Sequence, residues 1–124
     1  MPILTIKIPT GHSVEQKKAL LQGLTDAVLR SLNAPLASIR VTIDEVSPEN
    51  TIVAGQLGQP MALIHAALIA GRSEQLKAAL IAELAKAVEQ SIGLSMDHTR
   101  TLIDDYPTTD MGVAGGISAK AAGR

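Results

Sequence analysis

The chain contains no cysteine, phenylalanine or tryptophan, and Tyr106 is its only aromatic residue. The lack of cysteine excludes a disulfide framework, a thiol nucleophile and a zinc–thiolate site. The lack of aromatic side chains removes the platforms on which nucleic-acid bases or sugars stack. No apolar run reaches the roughly 18 residues of a membrane span, and the N-terminal residues lack the pattern of a signal peptide. We therefore expect a cytoplasmic protein that binds neither nucleic acid nor a membrane.

Charged residues are few and balanced in sign. The 124 residues include 11 Lys and Arg and 12 Asp and Glu, which gives a formal net charge of −1. This balance argues against the clustered basic surface of a nucleic-acid-binding protein. The three histidines, at positions 12, 65 and 98, are scattered, so we expect no metal centre. Apolar residues make up 46% of the chain, enough for a packed core, although a core with few large side chains often grows by oligomerisation.

The chain repeats one plan over about sixty residues. Shifting the sequence against itself by sixty positions, without gaps, aligns identical residues along both halves. The matches include Gly11 with Gly71, Ser13 with Ser73, Leu24 with Leu84, Arg40 with Arg100, Asp44 with Asp104 and Gly55 with Gly115. The sequence therefore predicts two repeats, residues 1–60 and 61–124, which together form one compact domain.

Each repeat is predicted to form a strand, a helix and a second strand. In the first, Leu4, Ile6 and Ile8 alternate with polar residues as in a half-buried strand, and residues 13–16 have the form of a capping box. The second repeat predicts a strand at 63–69, a helix at 73–92 and a strand at 100–106. Two βαβ units give an α/β (α+β) fold with a four-stranded sheet and two helices on one face. We expect the other face to be apolar and covered by further copies, and residues 118–124 to form a mobile or loosely pairing end.

Three segments in register, MPI at 1–3, GHSVEQK at 11–17 and APLASIRV at 34–41, resemble the 4-oxalocrotonate tautomerase (4-OT) family of the tautomerase superfamily. The second half is similar to a diverged second copy, so the chain resembles the fused members of that family. The resemblance implies a trimer that interconverts enol and keto forms of small 2-hydroxydienoate or 2-oxo acids. It also implies that no cofactor is needed.

The resemblance assigns catalysis to Pro2, whose amine is free once Met1 has been removed. A free α-amino group titrates near ~7.7–8.0, and a base of that kind suits proton transfer between the carbon and oxygen of an enol. By the same resemblance, Arg40 or its counterpart Arg100 binds the substrate carboxylate. The residues alone do not decide which of the two arginines reaches Pro2.

Two positions depart from the family pattern. His12 stands where the family has an arginine that binds a distal carboxylate, whereas Arg72 keeps that arginine in the second repeat. Ala62 replaces the proline of the second repeat and is internal, so it offers no amine. These departures leave two alternatives open: a catalytically weak assembly partner and a decarboxylase-type relative. A hydratase is disfavoured because no acidic residue occupies positions 51–53.

Overall fold

The two repeats fold through the same order of elements in a computed structural model that describes residues 1–124. The elements of the first repeat are β1 (Ile3–Pro9), α1 (Val14–Leu32), β2 (Arg40–Val46), β3 (Ile52–Val53) and β4 (Gln56–Leu57). Those of the second are β5 (Ala62–Ile69), α2 (Glu74–Ile92), β6 (Thr99–Tyr106), β7 (Gly112–Val113) and β8 (Ile117–Ser118). The predicted strand–helix–strand order is confirmed in both repeats.

Local sequence signals define the ends of both helices. The Ser13 hydroxyl accepts a hydrogen bond from the Gln16 amide, and the Gln16 side chain accepts one from the Ser13 amide, which forms the predicted capping box. Ser73 caps α2 with its side chain in the same way. Asn33, with φ 53°, ends α1 in the left-handed conformation, and Gly93, with φ 71°, ends α2. Each helix therefore starts and stops where its own residues satisfy the terminal backbone groups.

One four-stranded sheet joins the repeats in the order β2-β1-β5-β6. The helical crossovers make β1 parallel to β2 and β5 parallel to β6, as predicted, whereas β1 and β5 pair antiparallel. The two repeats are consequently related by an approximate two-fold axis. We call one end of the sheet the Pro2 end, where β1 and β2 start and β5 and β6 finish. The opposite end, where β5 and β6 start, is the Ala62 end.

The hydrophobic core lies between the two helices and one face of the sheet. Buried aliphatic residues alternate along β1 and β5 and meet one stripe of each helix. The largest are Leu4, Ile6, Ile8, Ile64 and Leu68 from the strands and Leu20, Leu24, Leu80 and Leu84 from the helices. Burial of each such side chain contributes about 1.5–3 kcal/mol to folding. Neither helix has the length and apolar character needed to cross a bilayer.

The open face of the sheet, which no helix covers, is mixed rather than apolar. The strand register places Thr5, Lys7, Thr42 and His65 on this face, together with Leu102, which is 51% exposed. The expectation of an apolar face overlooked that polar residues alternate with the core positions along β1 and β2. Any contact made through this face therefore includes polar groups.

The C-terminal residues 118–124 are folded and Ser118 pairs with Gly112, which corrects the expectation of a mobile or only loosely pairing end. Ala119 is fully buried, at 0% exposure, and its amide donates to the Met111 carbonyl at 2.8 Å. The Arg124 amide donates to the Ala119 carbonyl at 2.9 Å. The segment is anchored by one small buried side chain and by backbone hydrogen bonds, neither of which leaves a periodic pattern in the sequence.

Introducing a charge at the anchor should destabilise the protein. Ala119→Asp is expected to lower the free energy of unfolding by about 2 kcal/mol or more, because it buries a carboxylate without a partner. The exposed Ala122 provides the matched control, and Ala122→Asp should change stability by no more than about 0.5 kcal/mol. Urea unfolding at one fixed protein concentration measures both. Equal effects of the two substitutions would contradict the packed C-terminal segment.

Candidate active site

Pro2 is buried immediately before β1, next to Met1. Its side chain is less than 2% exposed and faces the helix side of the sheet, as Leu4 does, because side chains alternate along a strand. Its carbonyl accepts a hydrogen bond from the Arg40 amide at 3.0 Å, which fixes the residue against β2. Met1, immediately before it, is half-buried and lines a cavity.

A cavity of about 440 Å³ lies at the Pro2 end of the sheet, and we call it the Pro2 cavity. Met1 is part of its wall, whereas Pro2 is not. Its wall combines apolar side chains with two arginines and contains no acidic residue. The lining residues are Met1, Ala34, Pro35, Ser38, Ile69, Ala70, Arg72 and Arg124. They come from both repeats and from the C-terminus, which meet here because the start of β1 lies beside the end of β5.

Arg72 comes from the loop between β5 and α2. Gly71 precedes it with φ +121°, a backbone conformation that side-chain-bearing residues rarely adopt. Arg72 Nη1 donates to the Ile69 carbonyl at 3.0 Å, which steadies the half-buried side chain. The ion pairs of the chain all involve other cations. Arg72 therefore presents a guanidinium without a carboxylate partner to the cavity.

The surroundings of the cavity disfavour a protonated amine. The pKa of the Met1 amino group is lowered from its ordinary value of 8.0, first by burial and then by the charges of the Arg72 and Arg124 guanidinium groups. Both causes are properties of this part of the structure, because burial and neighbouring cations disfavour the charged form of any amine placed there. An amine at this end of β1 is therefore biased towards its neutral form, which can accept a proton.

Arg40 and Arg100 occupy equivalent places in the two repeats. Arg40 Nη1 donates to two backbone carbonyls just before β2, at 3.2 and 3.5 Å. Arg100 Nη1 makes the equivalent contacts at 2.8 and 3.1 Å. Arg40 pairs with Ile3, so its side chain belongs to the open face, opposite to that of Pro2. Within one chain, neither arginine lines the Pro2 cavity.

His12 and Arg100 lie at the Ala62 end. A second cavity there, of about 280 Å³, includes Ala62 and Arg100 in its wall. His12 follows β1 whereas Pro2 precedes it, and the 7 residues of β1 separate them by roughly 23 Å at ~3.3 Å per residue. The structure therefore brings Arg72, and not His12, to Pro2 within one chain.

Arg124 is the charged residue of the Pro2 cavity that sequence reasoning missed. The two arginines are the only charged side chains in the cavity wall, and nowhere in the chain do three or more His, Asp or Glu side chains group as metal ligands. Guanidinium groups bind carboxylates through paired hydrogen bonds. The cavity thus suits a small organic anion held next to the nitrogen of residue 2.

Comparison with known proteins shows which family the two repeats match. A family model described as "Tautomerase enzyme" matches twice, over residues 2–58 and 63–121. Among curated proteins, a 2-hydroxymuconate tautomerase of Pseudomonas putida is 44% identical over 57 residues, which is 46% of this chain and 90% of that protein. The double match accounts for the repeat that the sequence displays.

Two solved structures match over nearly the whole chain. A fused 4-OT named Q0, described as a wild-type symmetric trimer, has a TM-score of 0.96 and 49% identity, covering 98% of this chain and 99% of that one. Pt0534, described as inactivated by 2-oxo-3-pentynoate, has a TM-score of 0.96 and 42% identity with the same coverage. The chain therefore belongs to the tautomerase enzyme family and has the tandem-repeat architecture of the fused 4-OT proteins.

Proposed function

We propose that this protein is a cofactor-independent tautomerase that interconverts the enol and keto forms of small 2-hydroxydienoate or 2-oxo acids, with Pro2 as the base. The observation that carries the proposal is the Pro2 cavity, where the start of the chain meets two guanidinium groups that form no ion pair, and where no acidic side chain lines the wall. Family membership supports an isomerase. The inactivation of the relative Pt0534 by a 2-oxo acid supports the substrate class.

Pro2 supplies the proton-transfer group once Met1 has been removed. Its nitrogen is then a secondary amine in a site that favours the neutral form. The neutral amine takes the proton of the enol hydroxyl, and the resulting ammonium returns a proton to a carbon of the dienol. One group thereby removes and delivers the proton, which is efficient when its pKa lies close to the working pH.

Arg72 holds the carboxylate of the substrate inside the cavity. Its half-buried guanidinium is already oriented by the Ile69 carbonyl, so little side-chain freedom is lost on binding. The bound carboxylate places the neighbouring enol next to Pro2. The positive charge of the Arg72 guanidinium also stabilises the negative charge that develops on the substrate oxygen as the proton moves.

A neighbouring copy completes the site in a trimer. Arg40 and Arg100 extend from the open face, away from the Pro2 cavity of their own chain. We expect an arginine of this face, Arg40 or Arg100 of a second copy, to contact substrate across an interface. The fused 4-OT relatives are described as trimers. Because Ala62 offers no amine, each chain contributes one base, and a trimer has three active sites.

Blocking the nitrogen of Pro2 should abolish most of the activity. A protein carrying an uncleaved N-terminal tag is expected to lose about 10²–10⁴-fold in kcat/KM for ketonisation of 2-hydroxymuconate, because an amide nitrogen cannot accept the proton. Pro2→Ala, which keeps a primary amine, should lose less. The same tagged protein, cleaved to leave Pro2 first, is the control. Unchanged turnover with a blocked N-terminus would reject the proline base and indicate an unrelated site, whereas no turnover by the cleaved protein would favour the assembly-partner alternative.

Removing the charge of Arg72 should weaken substrate binding and shift the pH profile. Arg72→Gln is expected to raise KM about tenfold through loss of a charge-assisted hydrogen bond. The Arg72 charge lowers the pKa of the Met1 amino group, and we expect it to act in the same direction on a Pro2 amine. Its removal should therefore raise the pKa of that amine and move the acid limb of kcat/KM to higher pH. Arg30→Gln, which removes an exposed charge on α1, should leave both quantities unchanged. An Arg72→Gln enzyme with the parent KM and pH profile would exclude this role.

The oligomeric state can be tested without substrate. Size-exclusion chromatography with light scattering should give a mass of three times 12.9 kDa. Three copies are expected because the fused 4-OT relatives are described as trimers, and the proposed arginine contact needs at least a second copy. A stable monomer at micromolar concentration that retains full activity would overturn the shared site.

A further inference from the structure

The C-terminal segment carries Arg124 back to the start of the chain. Ala119 anchors the segment in the interior, and the Gly123 amide donates to the Lys120 carbonyl at 3.1 Å, in a turn where Gly123 has φ +78°. The Arg124 amide then donates to the Ala119 carbonyl at 2.9 Å. These bonds hold the backbone of Arg124 in place at the rim of the Pro2 cavity.

We propose that Arg124 is a specificity-determining residue that binds an anionic group of the substrate at the mouth of the Pro2 cavity. This inference rests on the function proposed above and adds a residue to that site. Arg72 and Arg124 then bind different parts of the substrate. The half-buried Arg72 binds the carboxylate next to Pro2, and the exposed Arg124 binds a second anionic group nearer to solvent.

The charge distribution around the cavity supports this role. Arg124 takes part in none of the ion pairs, and no acidic side chain lines the cavity to neutralise it. The protein as a whole carries a formal charge of −1, so two unpaired guanidinium groups facing one cavity form a local positive site. Such a site attracts anions even when the net charge is near zero.

The effect of Arg124 on the amine provides a second line of support. Its guanidinium is one of the two charges that lower the pKa of the Met1 amino group. The same residue lines the cavity together with Arg72 and Met1, so the charge effect and the cavity wall place Arg124 at the same site.

Binding of small acids tests the proposal independently of turnover. In the trimer with Pro2 first, Arg124→Gln should weaken the binding of adipate, a dicarboxylate, about tenfold, and that of hexanoate, a monocarboxylate of equal length, less than about twofold. Arg124→Lys should restore part of the adipate affinity because it restores the charge without the planar fork. Lys120→Gln removes a charge from the same segment but not from the cavity wall, and should change neither affinity. Isothermal titration calorimetry measures all four proteins.

Steady-state kinetics distinguish substrate binding by Arg124 from a purely structural role, which would not change KM and the pH profile in this way. Arg124→Gln should raise KM for 2-hydroxymuconate about tenfold with little change in kcat, and the acid limb of its kcat/KM profile should move to higher pH. Equal weakening of both acids, unchanged adipate binding, or an equal effect of Lys120→Gln would overturn the proposal. If the parent protein binds adipate through Arg124 but does not ketonise 2-hydroxymuconate, the anion site stands and the proposed reaction fails. Turnover that does not depend on Arg124 would reject only the role of Arg124.

Discussion

The antiparallel pairing of β1 with β5 determines how the two repeats work together. Each repeat is a βαβ unit whose internal geometry is set by its own crossover helix. Only the register between β1 and β5, in which Ile3 lies opposite Ala67, decides which loop of one repeat meets which terminus of the other. It brings the loop after β5, and therefore Arg72, to the start of β1. A parallel pairing would have placed Pro2 beside Ala62 and Arg72 at the opposite end of the sheet.

Most of the fold could be predicted from short-range patterns. Alternation in β1, the capping box at Ser13 and Gln16, and the sixty-residue repeat are local or internal signals, and they indicated the correct elements and a four-stranded sheet. The family resemblance also followed from segments that lie close to the structured elements. The open face was predicted to be apolar and is mixed. The alternation that places Ile6 in the core also places polar residues, such as Thr5 and Lys7, on the open face.

The site was harder to predict because it depends on contacts between distant parts of the chain. His12 and Arg72 occupy equivalent positions in the repeats, and no local property tells which of them lies beside Pro2. The relation between strands decides it, over some seventy residues of sequence. Arg124 was missed for a related reason, since its position depends on the burial of Ala119, a residue whose small side chain marks no pattern. The two ends of the sheet therefore differ in two linked ways. The Pro2 end has Arg72, whereas the Ala62 end has His12 in the equivalent position and no amine at Ala62.

The hydrogen bond between the Arg40 amide and the Pro2 carbonyl bears on the maturation of the chain. An aminopeptidase must take the Met1–Pro2 bond into its own active site, with the backbone on both sides of that bond free. In the folded chain the carbonyl of Pro2 is engaged by β2 and its side chain is buried. Arg40 lies almost forty residues downstream, so it emerges from the ribosome well after Met1 is accessible. We expect Met1 to be removed in the interval between these two events, and a chain that folds before cleavage would keep the nitrogen of Pro2, the base proposed above, as an amide.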